Sequence, residues 1–252
     1  MRLETEEQFS DELARKLEKE YTADYTLSVD RDVFIRCAID FLGDVRGKIT
    51  LDLGCGKGDV SCFLAKKGSS VVGVDISLVM LNLSSKWLKE VNLERRVNFL
   101  KIATEKLGFK DNSFDAVFGG YILHHTEVES TIKEVCRVLK KGSKAVFVEN
   151  FANNKLLGFS RKYLAGRFGI HRYGTITEHP LTSKDIKIIK SLFKKVKIIN
   201  PDMNFMQLLD RQIFKYRYPL ISKFCEYFDK WIYYAFPELR KLSYTQVIVV
   251  EK

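Results

Sequence analysis

The sequence has few cysteines, and they do not form a pattern that indicates a disulfide framework or a zinc site. The five cysteines stand at positions 37, 55, 62, 136 and 225. No Cys-x-x-Cys pair occurs, and no histidine stands at the spacing of a metal ligand. We therefore expect no metal site, and scattered free thiols favour a reducing, cytoplasmic compartment.

The chain also lacks the long apolar runs that membrane proteins carry. No uninterrupted apolar stretch approaches the roughly 20 residues of a membrane-spanning helix. The charged, helix-forming start MRLETEEQFSDELARKLEKE is unlike a signal peptide. With only four prolines among 252 residues, and no repeat or low-complexity segment, the sequence predicts a single α/β domain over residues 1–252.

Positive charge is concentrated in the C-terminal part of the chain. The net charge is +10, and residues 151–252 carry 19 Lys and Arg against 8 Asp and Glu. Such asymmetry indicates an anionic partner or surface for this part. Lysines on solvated helix faces would give the same count and stay an alternative.

The stretch LDLGCGKGD, residues 51–59, is rich in glycine and lies between two apolar patterns. The preceding KITLDL predicts a buried strand, and the apolar residues after the glycines recur at helical spacing as far as Gly68. A second buried strand, SSVVGVD, follows and ends in Asp75. Strand, glycine turn, helix and strand make a βαβ unit, whose turn lets a ligand lie against the backbone.

Acidic residues around this unit indicate what the ligand is. Asp75 stands about 20 residues after the first glycine, where such units place a carboxylate against ribose hydroxyls. Dinucleotide sites require glycine where this chain has Asp59. Asp52 would repel a pyrophosphate and attract an ammonium group. The pattern therefore favours a nucleoside that carries an ammonium group and no phosphate, as S-adenosylmethionine does.

Four segments in order resemble the class I S-adenosylmethionine-dependent methyltransferases. The resemblance covers residues 30–150 closely and is carried by LDLGCGKG, VVGVDIS, FDAVFGGYILHH and EVCRVLKKGSKAVFVEN. It implies S-adenosyl-L-methionine as the cofactor. It also implies an α/β, Rossmann-like doubly wound sheet of seven strands, mostly parallel, with the last strand antiparallel at the far end of the sheet.

The resemblance carries cofactor-binding roles over to the ends of the first four strands. Family members usually place an acidic residue near the adenine where this chain has Ala103, so backbone groups or the neighbouring Glu105 would recognise the adenine edge. The predicted cofactor-binding residues are Asp52, Gly54, Cys55, Gly56, Gly58, Asp75, Ile76, Ala103, Thr104, Glu105, Gly119 and Gly120.

Catalysis of methyl transfer depends chiefly on holding the acceptor in line with the methyl group. A base is needed only where the acceptor loses a proton. The candidates at the carboxyl edge of the sheet are His125, Glu149 and Tyr121, with His179 a further one, and no unmistakable dyad is present. The adjacent His124 points elsewhere than His125 on a helix, so packing or capping is expected for it.

The substrate class is narrowed by motifs that the chain lacks. Neither a PPY-like tetrapeptide after the fourth strand nor a Pro-Cys pair is present, which disfavours methylation of nucleic-acid bases. The resemblance implies a small-molecule or lipid-like acceptor. The alternatives are an RNA or protein methyltransferase that uses the basic C-terminal half, and a cofactor-binding module without catalysis. Asp52 and Asp59 oppose a nucleotide-dependent oxidoreductase.

The sequence also predicts how the chain is divided around the site. We expect residues 1–45 to form an N-terminal helical segment and residues 46–150 the cofactor-binding core. Two substrate-side insertions are expected at 151–181 and 203–242. Aromatic residues number 11 of 40 in the second insertion, against 31 of 252 overall.

A helix between Pro219 and Pro237 carries most of this second insertion. Its predicted apolar face comprises Ile221, Phe224, Cys225, Phe228, Trp231, Ile232 and Ala235. Packing onto the domain itself would explain the face. Tyrosines stand beside lysines and arginines in this insertion, and such a mixture suits lipid headgroups. We therefore predict a helical cap over the acceptor that touches anionic membranes weakly. The protein is expected to be cytoplasmic and peripheral to a membrane.

Overall fold

A computed structural model of the protein describes residues 2–20, 29–30, 32–152, 179–214 and 216–252. Most of the predicted insertion 151–181 lies outside these ranges. The described strands form one sheet with the order β3-β2-β1-β4-β5-β7-β6. They are β1 Ile49–Leu53, β2 Ser70–Asp75, β3 Val97–Lys101, β4 Phe114–Gly120, β5 Leu139–Asn150, β6 Lys195–Ile199 and β7 Thr245–Glu251.

The pairing confirms the predicted doubly wound sheet and corrects the place of its last strand. Strands β3, β2, β1, β4 and β5 pair in parallel, and β7 is antiparallel to both of its neighbours. The edge strand is β6, so β7 lies one strand inside the far end. It occupies this inner position because its residues are buried on both faces, whereas those of β6 are half-buried or exposed.

Helices separate most consecutive strands, as the sequence pattern predicts, although β4 follows β3 without one. They are α1 Arg2–Glu20, α2 Val33–Leu42, α3 Asp59–Lys66, α4 Leu78–Glu90, α5 Val128–Val138, α6 Ser183–Leu192, α7 Phe205–Ile213 and α8 Pro219–Ala235, with 3₁₀ turns at Leu123–His125 and Pro237–Leu242. Side-chain caps fix several starts: Ser77 accepts from the Met80 N–H, and Thr182 and Asp185 form a capping box.

Two hydrophobic clusters fill the two faces of the sheet. Alternate residues of β7 divide between them: Val247 and Val249 join the cluster that includes helices α2 to α4, and Ile248 and Val250 join the cluster that includes α5 and α6. Strand β5 divides in the same way. Burial on both faces explains why the strand sequences are nearly continuous apolar runs. Because β1, β2 and β4 run parallel, their carboxyl ends meet at one edge of the sheet.

Candidate active site

The glycine turn between β1 and α3 lies at this edge and leaves its backbone uncovered. Gly54 and Gly56 have φ values of +68° and +49°, a conformation that side chains disfavour. A Cβ at Gly54 would lie 2.4 Å from Ile122 Cδ1 of the loop after β4, whereas one at Gly56 would meet nothing within 4 Å. Gly54 therefore permits close packing of two loops, and Gly56 exposes peptide to open space.

Asp75, at the end of β2, is joined to the glycine turn through its carboxylate. Its Oδ2 accepts from the Gly56 N–H at 3.0 Å, and its Oδ1 accepts from the Ser77 N–H at 2.9 Å. Burial raises the pKa of Asp75, and these backbone donors partly offset the rise. The carboxylate is thus held in one orientation, facing the space beside Gly54 and Ile76.

The other two predicted acidic residues lie away from that space. Asp52 is buried and accepts from Ser61 Oγ of α3 at 2.6 Å. Burial raises its pKa to about 7, against the lowering effect of this hydrogen bond. Asp59 pairs with Lys57 at 2.7 Å. Neither carboxylate lines the cleft, and neither does the buried Cys55 or Gly58, which caps α3. These residues support the turn instead.

The cleft itself is small, with a volume of about 40 Å³, enough for a few water molecules. It includes predicted site residues from the ends of β1, β2 and β4 and from the loop after β3, together with residues of α1. The lining consists of Arg2, Leu3, Glu6, Gly54, Asp75, Ile76, Thr104, Glu105, Ile122, His125 and Thr126.

Helix α1 closes this cleft through charged contacts that the sequence analysis missed. Glu6 is buried, and its Oε2 lies 2.8 Å from His125 Nδ1. The Arg2 guanidinium donates to the Glu105 carboxylate and to the His125 carbonyl. Asp11 accepts from Ser77 Oγ, which caps α4. A buried acidic position on an otherwise charged helix leaves little signal in a hydrophobic pattern, so periodicity does not identify it.

Glu149, a predicted catalytic residue, is fully buried and organises the loop after β4. Its Oε1 accepts from the N–H groups of Ile122 and Leu123 at 2.8 and 2.7 Å, and its Oε2 lies 2.6 Å from His124 Nδ1. His124 is buried as well, as the predicted packing role requires. The two side chains fix the course of residues 122–125. Glu149 does not line the cleft, whereas His125 does.

Tyr121, the third predicted catalytic residue, is held in a strained conformation at the exit of β4. Its φ is +56°, and its hydroxyl donates to Asp32 Oδ2 at 3.2 Å. Burial, and then the negative charge of Asp32, raise the pKa of the Tyr121 phenol well above its usual range. Asp32 also caps α2 through its other oxygen. The tyrosine thus connects the β4 exit to the N-terminal helices.

The remaining predicted residues divide between packing and the cleft. A Cβ at Gly119 would lie 2.7 Å from the Phe147 ring, and one at Gly120 3.1 Å from the Phe118 ring, so both glycines provide steric room. Thr104 and Glu105 line the cleft, and Ala103 does not. His179 contacts this region through its backbone N–H, which donates to the His124 carbonyl at 3.3 Å.

Metal and membrane-spanning features are absent from the part of the chain that the structure describes. No cluster of three or more His, Cys, Asp or Glu side chains there could hold a metal ion. Within the same ranges, none of the helices combines the length and apolar character that crossing a bilayer requires.

Comparison with known proteins agrees with this geometry. Residues 51–147 match the family model of a methyltransferase domain, which confirms the resemblance predicted from the motifs. A demethylmenaquinone methyltransferase of Lactococcus lactis subsp. lactis is 37% identical over 112 residues, 43% of this chain and 44% of that protein. The ubiquinone/menaquinone biosynthesis C-methyltransferase UbiE of Photorhabdus laumondii is 32% identical over 143 residues, 55% of this chain and 56% of that protein. The chain spans about half the length of the curated relatives it matches.

A similarity at the level of fold extends over most of the chain. The crystal structure of geranyl diphosphate C-methyltransferase from Streptomyces coelicolor A3(2), in complex with Mg²⁺, geranyl diphosphate and S-adenosyl-L-homocysteine, superposes with a TM-score of 0.59. The sequences are 14% identical, and the match covers 85% of this chain and 76% of that one. The fold is therefore that of class I methyltransferases.

Proposed function

We propose that this protein is an S-adenosyl-L-methionine-dependent methyltransferase that acts on a lipid-like small molecule of the quinone class. The observation that carries the proposal is the junction of Asp75 with the glycine turn. An oriented carboxylate and an uncovered Gly56 lie at the edge of the sheet where ligands of open α/β folds bind.

The residues at this junction fit the proposed cofactor. Asp75 would accept hydrogen bonds from the ribose hydroxyls, and the bare backbone at Gly56 allows close approach. Thr104 and Glu105 line the cleft and would recognise the adenine edge, with Ala103 in place of the usual acidic residue. The bound cofactor would supply an electrophilic methyl group on a positively charged sulfur. Asp52 is buried under α3, so its predicted attraction for the ammonium group would act through the turn rather than by contact.

The chain's part in the chemistry would be orientation and exclusion of water. His125 is the predicted base that lines the cleft, and its Nδ1 is held by Glu6. Glu149 and Tyr121 would act by positioning, because Glu149 is buried, Tyr121 is half-buried, and both are bound to other protein groups. A carbon acceptor on an electron-rich ring would lose its proton after the methyl group is attached, which gives a base at this edge a function.

The acceptor class is inferred from the names of the relatives. One is named a demethylmenaquinone methyltransferase and another a ubiquinone/menaquinone biosynthesis C-methyltransferase. We extend that substrate class to this chain as a proposal, and with it weak peripheral contact with anionic membranes, since long-chain quinones reside in bilayers. The charge of the C-terminal part supports such contact.

Calorimetry tests the cofactor assignment without knowledge of the acceptor. We expect S-adenosyl-L-homocysteine to bind with one-to-one stoichiometry and NAD to show no heat of binding, because carboxylates disfavour a pyrophosphate here. Binding of NAD alone would overturn the proposal.

Turnover then separates an enzyme from a binding module. The protein is incubated with a demethylated naphthoquinol of short side chain and cofactor labelled in the methyl group, and the products are analysed by mass spectrometry. We expect a labelled methylquinone. If the quinol stays unlabelled while a cell extract yields another labelled product, the acceptor class is wrong; if cofactor binds and neither sample is labelled, catalysis is wrong.

A further inference from the structure

Helix α8 exposes a continuous row of large apolar side chains, which we name the outer stripe. Its members recur at alternating spacings of four and three residues, so they lie along one face of the helix. The exposed fractions are 83% for Leu220, 61% for Phe224, 79% for Tyr227, 53% for Trp231 and 74% for Tyr234. Single exposed apolar residues are ordinary, but a contiguous patch of this kind marks an interaction surface.

The opposite face of α8 fixes which way the outer stripe points. Cys225 and Asp229 are buried there. The Asp229 carboxylate accepts from the backbone N–H groups of Met206 and Gln207 at 2.8 and 3.0 Å and so caps the first turn of α7. The hydroxyl of Tyr233 donates to the Asn200 carbonyl at 3.1 Å. These polar contacts attach one side of α8 to the protein and leave the stripe directed outwards.

The surroundings of the outer stripe combine further apolar groups with positive charge. Exposed apolar side chains continue the patch before and after the helix: Ile213, Phe214, Tyr216, Tyr218, Phe236 and Leu239. Arg217 and Lys223 are exposed beside it, and Lys230 lies on the same flank, where it pairs with Glu226 at 2.6 Å. Aromatic rings with a polar edge, interleaved with cations, suit the boundary between headgroups and acyl chains.

A second copy of the chain fits this surface less well. The outer stripe has coiled-coil spacing but extends over only about two heptads, whereas stable seams need more. Its Tyr and Trp residues are also too bulky for knobs-into-holes packing, which uses Leu, Ile and Val. An anionic lipid surface accommodates rings of any size and is complementary to the local charge.

We propose that α8 docks the protein on the surface of an anionic membrane, with the helix axis in the plane of the interface and the outer stripe facing the acyl chains. This inference rests on the proposed function in one respect: a quinone-class acceptor gives a reason for the enzyme to work at a bilayer. The apolar row provides the insertion, and Arg217 and Lys223 provide attraction to anionic headgroups.

Vesicle sedimentation tests the apolar part of the surface. We expect the full-length protein to sediment with vesicles that contain phosphatidylglycerol, and the Phe224→Ser/Trp231→Ser variant to bind at least about tenfold more weakly. Ile49→Ser is the matched control, because it removes an apolar side chain of 43% exposure at the opposite edge of the sheet. Equal binding of the double variant and the wild type would overturn the proposal.

Charge reversal tests the electrostatic part. Lys223→Glu should weaken binding to anionic vesicles by more than about fivefold at low salt, since each cation near such a surface contributes about that factor. The effect should shrink as salt shortens the Debye length. Lys141→Glu is the control, since Lys141 is exposed on β5 near the amino edge of the sheet. A reduction of the same size in the control would show that only net charge matters.

Trp231 provides a direct spectroscopic readout. The chain has two tryptophans, and the other, Trp87, is buried. Anionic vesicles should therefore shift the emission of the wild type to the blue, and the shift should be absent in Trp231→Phe. A shift that persists in that variant would place the contact elsewhere.

Two further measurements separate the alternatives. Analytical ultracentrifugation without lipid should give a monomer for the wild type; a dimer that the Phe224→Ser/Trp231→Ser variant loses would assign the outer stripe to self-association and overturn the proposal. Calorimetry with S-adenosyl-L-homocysteine should give the same affinity for this variant as for the wild type. Failure of vesicle binding with intact cofactor binding would therefore contradict the docking surface and leave the cofactor assignment standing.

Discussion

At the scale of single residues, we propose that cofactor recognition depends most on Asp75, whose two oxygens join the glycine turn to the start of α4. We expect Asp75→Asn to weaken S-adenosyl-L-homocysteine binding by about ten- to a hundredfold, since an amide cannot accept from two backbone donors and the ribose hydroxyls together. Calorimetry measures the loss. Asp40→Asn, at an exposed position of α2, is the matched control, and similar affinities for the two variants would contradict the assignment.

Asp52 makes stability depend on pH through its burial. Its pKa is raised from 3.8 to about 7 in the folded protein, so folding favours the protonated carboxyl. This contribution is fully present below the unfolded value of 3.8 and is lost as pH rises through about 7. We expect the free energy of unfolding of the wild type to fall between pH 5 and 8 by about 1–3 kcal/mol more than that of Asp52→Asn. Urea denaturation at the two pH values measures this difference, and parallel pH profiles would refute it.

For the predicted site residues, the sequence indicated where in the fold they lie but not which groups each side chain contacts. The motif that predicts Asp75 is local, and so is the loop around it, which is why its position was predictable. The roles of Glu149 and Tyr121 depend on partners distant in sequence, such as the Ile122 amide and Asp32. Nothing in the residue type distinguishes a buried carboxylate that binds amides from one that faces a substrate.

At the scale of elements, α1 lines one side of the cleft. The space of about 40 Å³ is smaller than a nucleoside, so we expect α1 to move when the cofactor binds. We expect Glu6→Gln to accelerate association of S-adenosyl-L-homocysteine, because the contact with His125 is weakened and the open population grows. Stopped-flow fluorescence measures the rate. Glu12→Gln, exposed on the same helix, is the control, and equal rates would show that α1 is no barrier.

Helix α8 shows where pattern-based prediction of an element ends. Its start and end were predicted from Pro219 and Pro237, and the helix spans Pro219–Ala235. The predicted apolar face includes both kinds of position: Phe224, Trp231 and Ala235 are exposed, and of that set only Cys225 is buried. The apolar residues of the helix include both buried and exposed positions, so hydrophobic periodicity could not indicate which side meets the protein. The side that meets the protein is set instead by Asp229, whose carboxylate caps the first turn of α7.

For the whole molecule, the sheet was predictable because burial on both faces gives the inner strands a plain signature, although the edge strands β3 and β6 are only partly buried. The last strand completes both cores: β7 lies between β5 and β6 and contributes to each cluster. By contrast, neither cluster includes a residue of 203–242. The molecule thus consists of a two-faced α/β core, which β7 completes, and a helical pair, α7 and α8, which precedes β7 in the chain.

This division predicts that the helical pair can be removed without loss of the fold. The ends of the segment are close together, since Ser243 Oγ lies 3.3 Å from Asn204 Oδ1. A short Gly-Ser linker can therefore replace residues 205–242. We expect the shortened protein to unfold cooperatively, with a Tm within about 4 °C of the wild type, which corresponds to ~1 kcal/mol for a chain of this size. Calorimetric scanning and S-adenosyl-L-homocysteine binding check both expectations.

Truncation after Ser243 is the matched comparison, because it removes β7 and leaves the helical pair. That protein should lose its cooperative transition, since the pairing partner of both β5 and β6 and part of each core are gone.

In vesicle sedimentation, the protein that lacks 205–242 should stay in the supernatant although it binds S-adenosyl-L-homocysteine. A collapse of its fold would mean that α7 and α8 belong to the core. Retained binding to anionic vesicles would mean that the positive charge elsewhere, and not the outer stripe, holds the protein at the membrane.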